Sequence, residues 1–305
     1  MASHFPPMPD KVIIPTFTTP TKSGEMEVPG SSPFYYAGIQ SLWMFWMAEL
    51  KLLNEYLEPL SMKPYAFSVP GKDGLMGAVG LNFFNATALY GVGFPGNPGI
   101  GGFNETELNI VAYSSAVENA VPMGFTLDDF LLGADQTKRI GVYRVWVACD
   151  DAIAVAFGKA IYSENKFLTP YKYSVPALNN PAATTYAWTC YESADDPKNP
   201  IDIYTGAVDL NGLHSRLGNP CEWIDLSYVQ AQSRVAASRR SYYATPITYL
   251  AQAGLASAVK ITFGNSDLPM RRDMEKLIGL EPAVAIQQYT SPTVIAEAQP
   301  YWADL

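Results

Sequence analysis

The residues able to do chemistry are limited in this chain of 305 residues, because it has only two histidines and three cysteines. His4 lies in a proline-rich segment, so a Ser-His-Asp triad would depend on His214, and no Gly-x-Ser-x-Gly motif accompanies it. Cys149, Cys190 and Cys221 show no Cys-x-x-Cys spacing, which indicates buried free thiols rather than a metal site. No nucleotide-binding glycine motif is present. Catalysis must therefore depend on Lys, Glu, Asp, Tyr or backbone donors, and we expect no metal and no cofactor.

Two segments place such residues at informative spacings. Residues 150–171 begin with two aspartates, continue through an alanine-rich stretch to Gly158, and then reach Lys166 among aromatic residues. Residues 102–105 read Gly-Phe-Asn-Glu, and Glu107 follows on the same face of a predicted strand. These segments supply the lysine and the carboxylates from which an active site could be built.

The same segments resemble the acetoacetate decarboxylase family, in which an acidic turn and an alanine-rich stretch with a glycine precede the lysine that forms a Schiff base. Matching Gly158 to the family glycine, with two residues inserted before it, places Lys166 at the Schiff-base position. The Gly-aromatic-x-Glu pattern places Glu105 at the catalytic glutamate, with Glu107 as the alternative. Residues 266–273 are similar to the family's Asp-Leu-Pro helix entry.

The resemblance implies decarboxylation of a β-keto acid through an imine on Lys166. A protonated imine accepts the electrons that remain when carbon dioxide leaves, and Glu105 would carry the proton transfers. The candidate substrate-binding residues are Phe103, Glu107, Tyr162, Phe167 and Tyr171.

The attacking amine has to be neutral, whereas a free lysine has a pKa near about 10.4. Burial among apolar side chains lowers that pKa. We expect these surroundings from Tyr162, Phe167, Leu168, Tyr171 and Trp188. Glu164 would share a strand face with Lys166 and raise the lysine pKa, unless it points into solvent or is itself paired.

Two departures from the family pattern place the substrate and the reaction in question. Phe167 stands where the family has a second lysine, and no arginine matches the family's N-terminal arginine around residues 36–40. Two alternatives therefore stay open. One is an aldolase, dehydratase or cyclase that uses the same imine. The other is a non-catalytic small-molecule binding protein, which would hold Lys166 exposed or in a salt bridge.

The elements that must position these residues are mostly strands. Runs rich in β-branched and aromatic residues predict strands at 65–69, 76–84, 108–113, 140–149, 201–210, 258–263 and 283–289. Residues 108–113 and 141–149 are apolar on both faces, which predicts central strands. The chain lacks strict βαβ alternation, so we expect an α+β fold with a large, curved, mostly antiparallel sheet. The resemblance implies the double-layered β-cone of the family, with peripheral helices.

Three segments predict helices. Apolar residues at three- and four-residue spacing predict an amphipathic helix over 36–57, with Trp43 and Trp46 in its apolar stripe. The segments 126–132 and 268–280 also begin and end with helix signals, and Asp267 is the expected N-cap of the second.

Composition and charge indicate the oligomeric state, the partners and the localisation to expect. Charged residues make up 16% and aromatic residues 13%, so we expect a homo-oligomer with the N-terminal arm and the helix around Trp43 and Trp46 at a subunit interface. The net charge of −9 argues against nucleic acid and membrane partners. We expect a cytoplasmic protein that acts on a keto acid, with an extended arm over residues 1–33 and one domain over residues 34–305.

Overall fold

The computed structural model describes residues 34–70, 73–89, 100–176, 184–192, 200–218, 222–241, 246–279, 281–291, 295–297 and 300–304. The predicted arm over residues 1–33, together with His4 and Cys221, lies outside these described residues. Cys149 and Cys190 are buried free thiols, as expected.

The described residues form eighteen strands and five α-helices. The strands are β1 Phe34–Ala48, β2 Met62–Pro64, β3 Phe67–Ser68, β4 Leu75–Leu89, β5 Ile100–Ser114, β6 Gly141–Cys149, β7 Lys166–Leu168, β8 Tyr171–Ser174, β9 Thr185–Tyr191, β10 Asp202–Asp209, β11 Arg216–Leu217, β12 Glu222–Val229, β13 Arg234–Ser241, β14 Ile247–Tyr249, β15 Val259–Phe263, β16 Ala285–Ser291, β17 Ile295–Glu297 and β18 Tyr301–Trp302. The helices are α1 Leu50–Leu57, α2 Leu127–Leu131, α3 Ala152–Tyr162, α4 Leu255–Ala258 and α5 Pro269–Ile278.

Most of the strands belong to one large sheet in the order β11, β14, β16, β1, β17, β13, β12, β6, β5, β4 and β3. β1 also pairs with β4, from Tyr35 opposite Leu89 to Ala48 opposite Gly77. This second pairing closes β1, β17, β13, β12, β6, β5 and β4 into a ring, so the sheet encloses an interior. Two parallel pairings, β12 with β6 and β6 with β7, interrupt an otherwise antiparallel arrangement of the described strands.

The two faces of the ring are packed differently. Inside, Trp43 on β1 stacks on Trp223 on β12 with ring centroids 4.8 Å apart, although these strands are not neighbours. Outside, a second sheet in the order β15, β10, β9 and β8 covers the ring, and Trp188 of that sheet stacks on Phe83 of β4 at 4.8 Å. The α+β fold with a large, curved, mostly antiparallel sheet is therefore confirmed.

The predicted central strands are confirmed as β5 and β6, which lie side by side in the ring. Of the other predicted strands, the first is the least accurate, because only Phe67–Ser68 of residues 65–69 forms a strand. Both smaller helices also form. Thr126 and Asp129 make a reciprocal capping box at the start of α2, whereas Leu268, not Asp267, is the N-cap of α5.

The predicted helix over residues 36–57 is wrong. Its first part is strand β1, and only Leu50–Leu57 is helical. Successive side chains of a strand point to opposite faces, and both faces of β1 are buried, so apolar residues occur at almost every position and satisfy a helical spacing as well. Trp43 and Trp46 are 0% and 2% exposed within the single chain, so the expectation that they lie at a subunit interface is also wrong.

None of the helices among the described residues has the length and apolar character needed to cross a bilayer.

Candidate active site

The pairing of β5, β6 and β7 brings the predicted catalytic residues to the interior face of the ring. Glu105 lies opposite Cys149, and Glu107 lies opposite Val147. Lys166 on the neighbouring strand β7 is also opposite Val147. Residues that pair across strands share a face of the sheet. Both carboxylates and the lysine therefore project into the same buried space.

The acidic turn after β6 fixes the end of β5 that carries Glu105. The Asp150 carboxylate accepts hydrogen bonds from the backbone N–H and the side-chain amide of Asn104, both at 2.7 Å. Asp151 then caps α3 by accepting a hydrogen bond from the backbone N–H of Ala154 at 2.7 Å. The two aspartates therefore hold β5, β6 and the start of α3 in one arrangement.

Helix α3 packs directly over the lysine because Gly158 has no side chain. A β-carbon at position 158 would lie 2.5 Å from Cδ of Lys166 and closer still to the carboxylate of Glu164. Such contacts are far inside van der Waals distance, so a larger residue would displace one of these two side chains. The glycine that supported the family resemblance therefore has a steric reason to be present in this chain.

Lys166 forms two ion pairs in this buried space. Its Nζ lies 2.5 Å from Oε2 of Glu105 and 3.3 Å from Oε2 of Glu164. The lysine is only 7% exposed and the two carboxylates are less exposed still at the side chain. Glu164 was predicted to share a strand face with Lys166, and its carboxylate does face the amine rather than solvent.

A network of buried charges extends behind Glu164. Arg144 on β6 donates to Oε1 of Glu164 at 2.8 Å and lies 3.8 Å from carboxylate oxygens of Glu107 and Asp225. Arg240 on β13 contacts Glu107 at 2.9 Å and Asp225 at 3.1 Å. Three cations and four carboxylates therefore meet inside the ring, so one proton on a carboxyl group would balance their charge.

The pKa values follow from burial and from these neighbours. Burial raises the pKa of Glu105 to about 8, against the opposing charge of Lys166. Burial disfavours the charged form of Lys166, but the carboxylates of Glu105 and Glu164 outweigh it and raise the lysine pKa. The expected lowering of the lysine pKa is therefore wrong for this unliganded state. Burial also opposes ionisation of Glu107, yet Arg240 and Arg144 hold its pKa below the usual range.

A small cavity of about 10 Å³ lies beside the amine. Its lining consists of the Lys166 and Glu164 side chains and of residues from β1, β5 and α3, namely Tyr36, Phe103, Ala154, Phe157, Gly158 and Tyr162. A cavity needs roughly 10–15 Å³ to hold one water molecule. A keto acid is larger, so its binding requires the surrounding side chains to move apart.

The buried carboxylates are not arranged for a metal ion. Each of Glu105, Glu107, Glu164 and Asp225 contacts a lysine or an arginine. Across the described residues, no group of three or more His, Cys, Asp or Glu side chains has the geometry of a metal site.

Comparison with solved structures identifies the architecture. The enduracididine biosynthesis enzyme MppR in complex with pyruvate superposes with a TM-score of 0.55 and 12% identity, over 93% of this chain and 95% of that chain. Acetoacetate decarboxylase from Legionella pneumophila subsp. pneumophila gives a TM-score of 0.54 and 11% identity, over 99% and 97%. The chain has the acetoacetate decarboxylase-like fold. An acetoacetate decarboxylase-like enzyme from Sphingomonas wittichii RW1 gives 0.52 and 14% identity, over 89% and 92%.

No protein-family profile matches the chain, and no curated protein matches it by sequence. The likeness therefore rests on the backbone path of the acetoacetate decarboxylase-like fold, and the solved structures that share it include enzymes.

The predicted site residues lie on both the inner and the outer face of the ring. Phe103 and Tyr162 line the cavity beside Lys166, whereas Glu107 lies in the charge network and accepts a hydrogen bond from Asn82 at 2.9 Å. Phe167 points to the outer face, where its ring lies 6.3 Å from that of Trp146. The register explains this result, because Phe167 follows Lys166 directly on β7.

Three other residues expected around the amine are also elsewhere. Tyr171 and Trp188 pack on the outer face of the ring against Phe83, and Leu168 is 56% exposed. The expectation that they surround Lys166 is wrong. The apolar surroundings come instead from α3 and β1, through Phe157 and Tyr36.

Replacing Phe167 with alanine is expected to leave the pH dependence of imine formation at Lys166 unchanged, because the two side chains lie on opposite faces. The lost packing against Trp146 is expected to cost about 1–2 kcal/mol, less than for a fully buried phenylalanine. Urea unfolding and reductive trapping over a pH series measure the two effects. A shifted trapping profile would show that Phe167 influences the amine after all.

Replacing Gly158 with alanine is expected to slow imine formation about tenfold, because the new methyl group displaces Lys166 or Glu164 from the positions seen here. The rate of borohydride trapping measures this effect. Lys159→Ala is the matched control, since Lys159 is the next residue of α3 and is exposed. Equal trapping rates in the two variants would contradict the steric role of Gly158.

Sequence reasoning missed Arg144, Asp225 and Arg240. One signal was present for Arg144, because it is a charged residue within a strand that is otherwise apolar on both faces. A charge at such a position has to be paired inside the protein. Its partners could not be named, because they come from strands whose pairing the sequence does not show.

Proposed function

We propose that this protein is an enzyme that forms an imine between Lys166 and a keto acid, with decarboxylation of a β-keto acid as the leading reaction. The observation that carries the proposal is the buried Lys166 amine, 2.5 Å from Glu105 and beside a cavity lined by aromatic side chains. A buried lysine paired with a carboxyl group of raised pKa is typical of sites that move protons near neutral pH. The acetoacetate decarboxylase-like fold supports the same reading.

Glu105 supplies the proton transfers in this proposal. It takes the proton of the Lys166 ammonium, and the neutral amine then adds to the keto carbonyl of the substrate. Glu105 returns the proton as the carbinolamine loses water, which leaves a protonated imine. The bond to the carboxylate breaks, carbon dioxide departs, and its electron pair forms an enamine. Protonation of the enamine carbon and hydrolysis of the imine then release the ketone and restore Lys166.

Glu164 also lies beside the Lys166 amine, but it forms a closer ion pair with Arg144. The Arg144 guanidinium lies 2.8 Å from Glu164, closer than the 3.3 Å between Glu164 and Lys166. Arg144 therefore compensates most of the charge on Glu164. This leaves Glu105, with its pKa of about 8, as the group that exchanges a proton with the amine.

The test is reduction with borohydride in the presence of acetoacetate or pyruvate, followed by peptide mass mapping and an assay for carbon dioxide. We expect a stable adduct on Lys166 with either ligand and carbon dioxide release from acetoacetate. Lys166→Met should lose both signals, while circular dichroism verifies that it is folded. An adduct on another lysine, or none, would contradict the proposal.

A condensation reaction through the same imine is the second candidate. The structure of MppR complexed with the condensation product of pyruvate and imidazole 4-carboxaldehyde matches this chain with a TM-score of 0.54 and 10% identity. Incubation with pyruvate and an aromatic aldehyde distinguishes the two, because condensation gives a longer keto acid and no carbon dioxide.

A non-catalytic binding protein is the third reading, and the ion pairs of Lys166 are the feature that favours it. Two carboxylates at 2.5 and 3.3 Å stabilise the charged amine, which does not attack a carbonyl. This reading predicts ligand binding by calorimetry without any borohydride adduct. The trapping experiment therefore separates it from both enzymatic readings.

We also propose that the protein forms a homo-oligomer in solution. The support comes from exposed apolar side chains, including Leu168, Tyr173 and Leu217, which is 74% exposed. Light scattering at micromolar concentration tests this, and a monomer mass would contradict it.

A further inference from the structure

A second cavity of about 200 Å³ lies on the outer face of the ring. Its floor consists of apolar side chains from β12 and β13, namely Ile224, Leu226 and Ala237. This face is the opposite one from the buried charges, because Asp225 lies between Ile224 and Leu226 on β12 and points into the interior. The outer cavity is therefore separate from the space beside Lys166.

The rim of this cavity is cationic in a chain that is acidic overall. Lys138, Arg139 and Arg239 all line it, and no Asp or Glu among the described residues does. The whole chain has 29 acidic and 20 basic residues. The excess of basic residues around this cavity is therefore opposite in sign to the net charge of the chain. Such a rim attracts anions and repels cations.

The turn that carries Lys138 and Arg139 is held in place before any ligand arrives. Asp135 is buried, and its carboxylate accepts hydrogen bonds from the backbone N–H of Thr137 at 2.9 Å and of Ile140 at 3.1 Å. Within the described part of the chain, Lys138 forms no ion pair. A fixed turn lowers the entropic cost of binding, because less of the site has to be ordered.

We propose that this outer cavity binds a small carboxylic acid with a short apolar chain. The carboxylate would lie at the rim near Lys138 and Arg139, where charge-assisted hydrogen bonds are available. The apolar chain would lie against Ile224 and Leu226 on the floor. The volume of about 200 Å³ suits a ligand of a few carbon atoms and is small for a nucleotide.

The probe for the test is butyrate, with butyramide as its uncharged counterpart and acetate as the anion without a longer chain. Saturation-transfer NMR at constant ionic strength gives the dissociation constants. We expect butyrate to bind about tenfold or more tightly than butyramide, and more tightly than acetate. Lys138→Gln should weaken butyrate binding by about tenfold, the scale of one charge-assisted contact.

Two controls locate the bound butyrate. Lys260→Gln removes an exposed lysine on β15 that does not line the cavity and should bind butyrate like the unmodified protein. Lys166→Met should also retain binding, because the interior amine is not part of this site. Equal binding of butyrate and butyramide, unchanged binding in Lys138→Gln, or loss in Lys166→Met alone would overturn the proposal. Tighter binding of inorganic phosphate than of butyrate would overturn the assignment to a carboxylic acid.

Discussion

Replacing Glu105 with glutamine is expected to lower turnover by about 10²-fold or more, the usual scale for a group that transfers protons. The amide keeps the shape of the side chain but cannot accept the proton of Lys166, which lies 2.5 Å away. Imine trapping is expected to persist, because removal of this negative charge makes the lysine easier to deprotonate. The measurement compares turnover with the yield of the borohydride adduct in the two proteins.

The same substitution should remove a pH-dependent step. The pKa of Glu105 is raised to about 8, so below that pH the carboxyl group is protonated and the neighbouring amine keeps its own proton as well. As the pH rises through about 8, the Glu105 carboxyl group loses its proton, and the carboxylate can then take the proton of the Lys166 ammonium so that the amine can attack. Trapping in the unmodified protein should therefore increase with a midpoint near pH 8, and Glu105→Gln should lack this midpoint.

Glu107→Gln is the matched control, because Glu107 shares the strand and the face of Glu105. Its carboxylate is held by Arg240 at 2.9 Å and by Asn82 at 2.9 Å, away from the cavity. We expect this variant to lose stability, but to keep both its turnover and the midpoint near pH 8 in the pH dependence of trapping. An equal loss of turnover would show that Glu107 is the carboxylate that transfers the proton.

Replacing Arg144 with methionine is expected to destabilise the protein by about 3–5 kcal/mol, the usual cost of removing one partner of a buried ion pair. It should also raise the pH at which trapping reaches half its maximum. Without Arg144, the charge of Glu164 acts on Lys166 alone, so the amine holds its proton to higher pH. Urea unfolding measures the first effect, and the pH series of reductive trapping measures the second.

The groups around Lys166 that influence this profile come from several elements. Glu105 and Cys149 lie on β5 and β6, and Glu164 precedes β7. Arg240→Met is the control, because this arginine pairs with Glu107 and Asp225. It should cost similar stability but shift the trapping midpoint less than Arg144→Met does. An equal shift in both variants would mean that the total charge of the network, not the Arg144–Glu164 pair, sets the proton affinity of the amine.

The sequence allowed the central strands and the lysine–glutamate pair to be predicted. The runs that became β5 and β6 are apolar on both faces, which is a direct signature of burial. Lys166 and Glu105 were located through the family resemblance, and the structure places them 2.5 Å apart. Their roles in catalysis stay predictions until the trapping experiment is done.

The failures concern the directions in which side chains point, and for the first of them burial on both faces of a strand removes the periodic pattern. In β1 the apolar residues occupy consecutive positions, so a helical spacing fits them as well as a strand does. For Phe167, nearness in sequence to Lys166 suggested a contact, but adjacent residues of a strand face opposite sides. The direction of each side chain depends on strand register, which the local sequence does not determine.

The buried charges also have a consequence for how the chain folds. The seven side chains come from β5, β6, β7, β12, β13 and the turn before β7, and the Arg240–Glu107 contact joins residues 133 positions apart. A partly assembled ring that lacked one strand would hold a charged side chain in an apolar interior without its counter-ion. Such an unpaired buried charge is strongly unfavourable. Intermediates of this kind should be scarcely populated. Together with the many contacts between distant segments, this predicts slow folding in a single cooperative transition.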